Sequence, residues 1–175
     1  MILIVGATGP LGRHVTRLLV AQGQAVRVMT RDPDRADALR AAGSGHFIFT
    51  SVLGASPSHP ADFWRTKARI ERYLVASGIP YTIIRPSAFM EVHAYQLIGK
   101  AVLTGKPVML FGPGDNPKNF VAAAAVAALV VRALDDARLR GETIEIGGPD
   151  SHTSRQVVAV FERVAGKTAR ANVGR

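Results

Sequence analysis

The residues with the clearest chemistry stand at the start of the chain. Gly6, Gly9 and Gly12 are spaced three apart directly after the apolar run Ile2–Val5. Each has a mechanical use if a nucleotide diphosphate binds there. Gly6 turns the chain out of a strand, Gly9 lets the backbone approach a pyrophosphate, and Gly12 lets a helix pack close to the strand. Pro10 suits a first helical turn, where its missing N–H costs nothing. The helix N-terminus then offers free N–H groups and the positive end of its dipole to phosphate. The spacing is G-x-x-G-x-x-G, which a ligand-free strand-to-helix turn also fits; its place between an N-terminal strand and an amphipathic helix favours the nucleotide. Gly6, Thr8, Gly9, Pro10, Leu11 and Gly12 are the candidate cofactor contacts of this segment.

The choice of nucleotide turns on the end of the second strand, Val28-Met29-Thr30-Arg31-Asp32. An acidic residue there binds ribose hydroxyls, as in NAD sites, whereas an arginine cradles the 2′-phosphate of NADP. Asp32 precedes Pro33, and the role of helix N-cap accounts for it. Arg31 has no such duty, so NADP(H) is the expected cofactor. Ser51, just past the third strand, stands outside the carboxyl end of a strand, where ligands bind in such sheets. Lys67 falls at helical spacing with Phe63, Ile70 and Leu74, a face expected to pack on the sheet. A lysine among core positions must be paired, reach an edge or face a ligand.

The elements that would position these groups alternate strand and helix, which predicts a three-layer α/β domain with a parallel sheet. Strands are expected at 2–5, 25–29, 46–50, 81–84, 108–111 and 143–146. Helices are expected at 10–22, 32–43, 61–77, 91–103, 121–134 and 153–165. Thr153 and Gln156 have the spacing of a capping box. No repeat or linker divides the 175 residues, so one domain is expected.

Composition narrows the classes. Without cysteine there are no disulfides or thiolate metal sites. The five histidines show no metal-ligand spacing, so no metal is expected; His93 reads as a surface residue. The longest apolar run, 120–131, is far short of a membrane span. No basic stretch precedes an apolar core at the N-terminus, and a cytoplasmic setting is expected. The 22 Lys and Arg against 13 Asp and Glu are scattered without a stripe, which argues against nucleic acid as the main partner.

Several of these segments resemble one family. The Gly-Ala-Thr-Gly-Pro-Leu-Gly run (6–12), Thr-Arg-Asp-Pro (30–33) and His-Phe-Ile-Phe-Thr-Ser-Val (46–52) come in its order. So do Lys67 within Phe-Trp-Arg-Thr-Lys, Tyr-Thr-Ile-Ile-Arg-Pro-Ser-Ala-Phe-Met (81–90) and Ile-Gly-Gly-Pro (146–149). Together they resemble the NmrA-like, or atypical, branch of the short-chain dehydrogenase/reductase superfamily. The resemblance implies a Rossmann-like fold binding NADP(H). It also implies that Ser51 and Lys67 take the superfamily's Ser and Lys roles, and that Pro86 and Ser87 lie by the nicotinamide. Ser51, Val52, Lys67, Pro86 and Ser87 thus join the glycine segment and Arg31 as candidate cofactor contacts.

Three departures from the pattern follow. The superfamily's Tyr-x-x-x-Lys would place a proton-donating tyrosine at position 63, where this chain has Phe63. Phenylalanine cannot donate a proton, so simple carbonyl reduction lacks its acid; hydride transfer to a quinone-like acceptor, which takes its proton from solvent, stays open. So does a non-catalytic NADP(H) sensor or assembly protein, and the oligomeric state. Second, the middle looks short by two strand–helix units, because Leu39–Gly43 leads almost directly into the third strand. Third, the chain stops soon after the last helix, where relatives run on, and 121–126 lacks the family's acidic residue. With the middle units gone, Phe47–Thr50 is expected to pair directly with Ile2–Val5, giving the flavodoxin-like order 2-1-3-4-5.

Overall fold

Short β-branched runs form strands and the longer periodic segments form helices. The computed structural model describes residues 2–5, 9–29 and 46–174. The strands are β1 (Ile2–Val5), β2 (Val26–Met29), β3 (Phe47–Thr50), β4 (Tyr81–Pro86), β5 (Ala88–Phe89), β6 (Val108–Phe111), β7 (Lys118–Val121), β8 (Thr143–Ile146), β9 (Ser151–His152) and β10 (Ala171–Gly174). The helices are α1 (Pro10–Ala21), α2 (Asp62–Ala76), α3, α4 (Ala123–Asp135) and α5 (Ser154–Ala165); α3 is a π-helical Glu91–Gly99 running into α-helical Lys100–Thr104. The expected helix at 32–43, and with it Arg31, lies outside the described residues, as do Gly6 and Thr8.

Two compact units are formed. The first comprises Met1–Pro86 and Ala123–Ile146. In it β1 runs parallel to β2, and β4 stands between β3 and β8, all parallel. α1 turns Gly12, Val15 and Leu19 inward, at steps of three and four. Val15 and Leu19 meet Ile4 of β1 and Ala127 and Val131 of α4 in one apolar cluster. α4 also packs on β3 and β4.

One expectation is overturned. Among the described residues β1 pairs only with β2, and β3 only with β4, so the β1–β3 ladder and the flavodoxin-like order are not formed. That order was predicted because unpaired backbone at a buried sheet centre is costly. The four residues of β3 are each only half-buried, whereas Thr82, Ile83 and Ile84 of β4 are fully buried. The edge of β3 away from β4 has no partner strand among the described residues, and α4 packs both on β3 and on the cluster around β1.

The second unit comprises Ser87–Ala122 and Gly147–Arg175. β7 pairs parallel with β5 and antiparallel with β9, while β6 pairs parallel with β10. Ile98 and Val102 of α3, Val108, Phe120, and Val157 and Val158 of α5 form its core. Gly99 seats the ring of Phe161, and any side chain there would collide with it. The capping box of α5 is present: Gln156 N donates to Thr153 Oγ1 (3.1 Å) and Thr153 N to Gln156 Oε1 (2.8 Å). Val121, expected to open a helix, ends β7 instead, and the helix begins at Ala123.

Candidate functional site

Beyond β3 the chain stays strapped to β4. Ser51 N donates to Ile84 O (2.7 Å) and Leu53 N to Pro86 O (2.9 Å). These bonds carry Ser51 into a buried position, where its Oγ has no hydrogen-bond partner among the described residues. A buried hydroxyl without a well-aligned partner is unfavourable, so this one suits a ligand that bonds it. Val52, next in line, is half-buried, and its carbonyl accepts from Ala55 N (3.2 Å).

Lys67 comes to the same strand end from α2. Its Nζ donates to Thr50 O at 2.9 Å, and lies 4.8 Å from the centroid of Phe49 and 5.8 Å from that of Phe63. Burial pushes the Lys67 ammonium below its ordinary pKa, while Glu71 pulls the other way. An ammonium has three donors, and the carbonyl uses one. The structure thus brings Ser51 and Lys67, chosen from sequence alone, to one place at the carboxyl end of β3.

The face of α2 that packs inward is not the one the apolar spacing indicated. Ala68, Glu71 and Leu74 are buried with Lys67 half-buried, whereas Phe63 is 55% and Ile70 41% exposed. The reason is an ion pair that no periodicity reports. Arg85 of β4 holds both Glu71 oxygens, Nε to Oε1 at 3.0 Å and Nη2 to Oε2 at 2.6 Å, and its Nη1 reaches Glu145 of β8 at 3.4 Å. A paired carboxylate can take an inward position that an unpaired one cannot. Burial alone would raise the Glu71 carboxyl. The Arg85 guanidinium outweighs it, helped by Lys67 and by Ser51, whose hydroxyl lies nearby outside good bonding geometry, and the net shift is downward.

Sequence reasoning missed Glu71 and Arg85. Two signals were available: an arginine inside the apolar strand Tyr-Thr-Ile-Ile-Arg-Pro, and a glutamate four residues after Lys67. Trp64 is half-buried, donates from Nε1 to Leu53 O (3.1 Å) and stacks on His59 with centroids 4.6 Å apart. Arg65 Nη1 donates to the carbonyl of His59 (2.9 Å). These contacts pin the 51–60 loop onto α2. Phe63 meets Trp64 edge-on at 5.3 Å and carries no group that exchanges a proton.

At the start of α1, Gly9 is the N-cap and makes no side-chain bond, Pro10 opens the helix and Gly12 is buried. The first-turn N–H groups are thus not taken by a side-chain cap, the arrangement an anion uses. Leu11 is half-buried and packs against the first unit's core. Pro86 ends β4. Ser87 opens the second unit, buried and with an Oγ that has no partner among the described residues. His93 is exposed, with Nδ1 3.2 Å from Phe89 O. Among the described residues no cluster of His, Asp and Glu is arranged to hold a metal, and no helix is long and apolar enough to cross a membrane.

The model of the NmrA-like family matches residues 34–174. The chain belongs to the NmrA-like family. Among its relatives is a (4-alkanoyl-5-oxo-2,5-dihydrofuran-3-yl)methyl phosphate reductase of Streptomyces griseus, 28% identical over 216 residues, covering 97% of this chain and 76% of that one. An NAD(P)H azoreductase of Xenophilus azovorans is 22% identical over 219 residues, with the same coverage. Both alignments are longer than the chain, so stretches of these relatives have no counterpart here, as an internally shortened NmrA-like chain requires. The UDP-glucuronic acid 4-epimerase of Bacillus cereus, solved with NAD, superposes with a TM-score of 0.83 at 16% identity, over 98% of this chain and 85% of that one. That likeness makes the fold Rossmann-like. The oxidoreductase reading, ahead of the sensor alternative, is the one the family and its reductase relatives bear out.

Proposed function

We propose that this NmrA-like chain is an NADP(H)-dependent oxidoreductase that reduces a small conjugated acceptor, quinone-like or azo, in a cytoplasmic setting. The observation that carries the reading is Lys67 Nζ held at the carbonyl of Thr50, beside the buried and unpartnered Ser51 Oγ. Spare ammonium donors and a hydroxyl without a partner suit the ribose and carboxamide oxygens of a nicotinamide nucleotide. The uncapped start of α1 suits its pyrophosphate. When bound, the nicotinamide supplies a hydride to an electrophilic acceptor.

In this reading Ser51 and Lys67 bind and orient by hydrogen bonding. Val52 and Pro86 line the same cofactor, and Arg31 meets the 2′-phosphate. No side chain at position 63 exchanges a proton, so the acceptor must be one whose reduced form is protonated by water. Quinones and azo compounds meet that condition; simple ketones do not. The azoreductase relative supports an azo acceptor. The test is NADPH binding by calorimetry, then NADPH oxidation with a panel of quinones and azo dyes. Binding with turnover of either class is expected. Binding without turnover of any acceptor would move the chain to the sensor class, and absence of binding would reject the cofactor.

A further inference from the structure

Lys67 and Glu71 stand four residues apart on α2, the spacing at which opposite charges on a helix pair. They form no ion pair. Lys67 Nζ bonds to Thr50 O at 2.9 Å, and both oxygens of Glu71 are held by Arg85 at 3.0 and 2.6 Å. The other charges facing this cluster are few. Glu145 comes from β8 and touches Arg85 at 3.4 Å, and Asp62 and Arg65, in the first turn of α2, satisfy each other at 3.2 Å. A buried carboxylate with free oxygens takes the nearest cation, because leaving it unpaired costs more than bending one lysine stem. Arg72 lines the same pocket as Glu71 and Arg85, but the charge besides Arg85 that acts on Glu71 is that of Lys67, so without Arg85 the cation on offer is Lys67.

We propose that Arg85 is a positioning residue: by occupying both oxygens of Glu71 it keeps that carboxylate from capturing Lys67, and so leaves the ammonium at the Thr50 carbonyl beside Ser51, with donors free for the cofactor. The proposal rests on the reading of Lys67 as a cofactor-facing group, but it makes a prediction that needs no cofactor. In Arg85→Gln the Glu71 carboxylate turns to Lys67, stabilises its charged form and raises its pKa by about one unit or more. In Glu71→Gln the only nearby anion that favours the ammonium is removed, and the Lys67 pKa falls. Losing the Arg85 charge would by itself raise Lys67, so Arg85→Lys, which keeps a positive charge there without the two-pronged hold, separates capture by Glu71 from simple charge removal.

The chain has five lysines, so the side-chain signals of the full-length, lysine-labelled protein can be followed individually by NMR titration, with Lys67 assigned by its loss in Lys67→Arg. The expected result is an upward shift in Arg85→Gln and a downward one in Glu71→Gln. A Lys67 titration that is unmoved or lowered in Arg85→Gln overturns the proposal. If that variant does not fold, Arg85→Lys replaces the two-pronged contact by a point charge and should give a smaller rise; no rise there, or no fall in Glu71→Gln, also overturns it. NADPH titration of the same variants tests the underlying reading separately. Affinity unchanged in Arg85→Gln, with Lys67 shifted as expected, would remove Lys67 from the cofactor site and leave the clamp standing.

Discussion

Arg85→Leu leaves the buried Glu71 carboxylate without its guanidinium, and the structure sets the size of the loss. Breaking a buried pair from one side costs about 3–5 kcal/mol. The lower end applies, because Lys67 stands on the same helix face as a substitute cation and leucine keeps part of the buried stem of arginine. A loss of about 3 kcal/mol is large against a net stability of about 5–15 kcal/mol. For a chain of this length it lowers Tm by roughly 6–12 °C. The double variant Glu71→Leu/Arg85→Leu removes both charges together and should lie within about 1 kcal/mol of the unaltered protein. Urea unfolding followed by the fluorescence of Trp64, the only tryptophan, measures both. The pH dependence has a definite sign. In the unaltered protein Glu71 is held below its ordinary pKa; its contribution is full above the unfolded value near ~4.3 and is lost as pH falls through the lower folded value. In Arg85→Leu burial acts with less opposition and the folded pKa rises above that of the unaltered protein. The deficit is then largest at neutral pH and shrinks as pH falls through that raised value. A double variant as unstable as the single, or a deficit that grows in acid, would refute the reasoning.

Arg31→Ala should narrow the preference for NADPH over NADH by roughly tenfold to a hundredfold, since a charge-assisted bond to phosphate contributes about 1.5–3 kcal/mol; calorimetry with both nucleotides reads it, and an unchanged ratio removes Arg31 from the site. The unaltered protein should not turn over simple ketones, whereas Phe63→Tyr places a phenol on α2 one turn before Lys67 and should confer measurable ketone reduction. Rapid ketone turnover by the unaltered protein would show that the chemistry lies elsewhere. Gly148→Ala drives a methyl group into the carbonyl oxygen of Phe120, a backbone atom with little room to yield. The expected cost is about 1–3 kcal/mol by thermal unfolding, and an unchanged Tm would mean that this segment relaxes freely.

The Gly-Gly of Ile-Gly-Gly-Pro shows why a motif read from sequence needs its structure. It entered only as part of a family resemblance. In the second unit both amide groups around it are tied by Asn119, whose Oδ1 accepts from Gly148 N (2.9 Å) and whose Nδ2 donates to Gly148 O (2.9 Å) and Asp150 O (3.1 Å). A side chain at Gly147 would strike Asn119, and one at Gly148 the carbonyl of Phe120. The close approach of 119–120 is a tertiary fact, and so is the antiparallel pairing of Lys118 and Asn119 with His152 and Ser151. Two-residue strands such as β5 and β9 have no period to detect.

What the sequence determined by itself was local or set by backbone chemistry. The apolar tetrapeptides of β1 and β6, the Phe-Ile-Phe-Thr of β3, the alternating Thr-Ile-Glu-Ile of β8, the proline start of α1 and the capping box of α5 depend on neighbours within one turn or one strand. The end of β3 as the place for Ser51 and Lys67 follows from where parallel strands leave room for ligands. Tertiary structure alone decided the strand order and the rotation of α2. Among the described residues β3 pairs on one edge only, with β4, which no local pattern of its four residues reports. α2 turned Phe63 and Ile70 outward and Glu71 inward, where Arg85, on a strand fourteen residues beyond Glu71, holds both of its oxygens. Periodicity counts apolar side chains along one element, while the free energy of burying a charge depends on a partner that only the folded chain brings near.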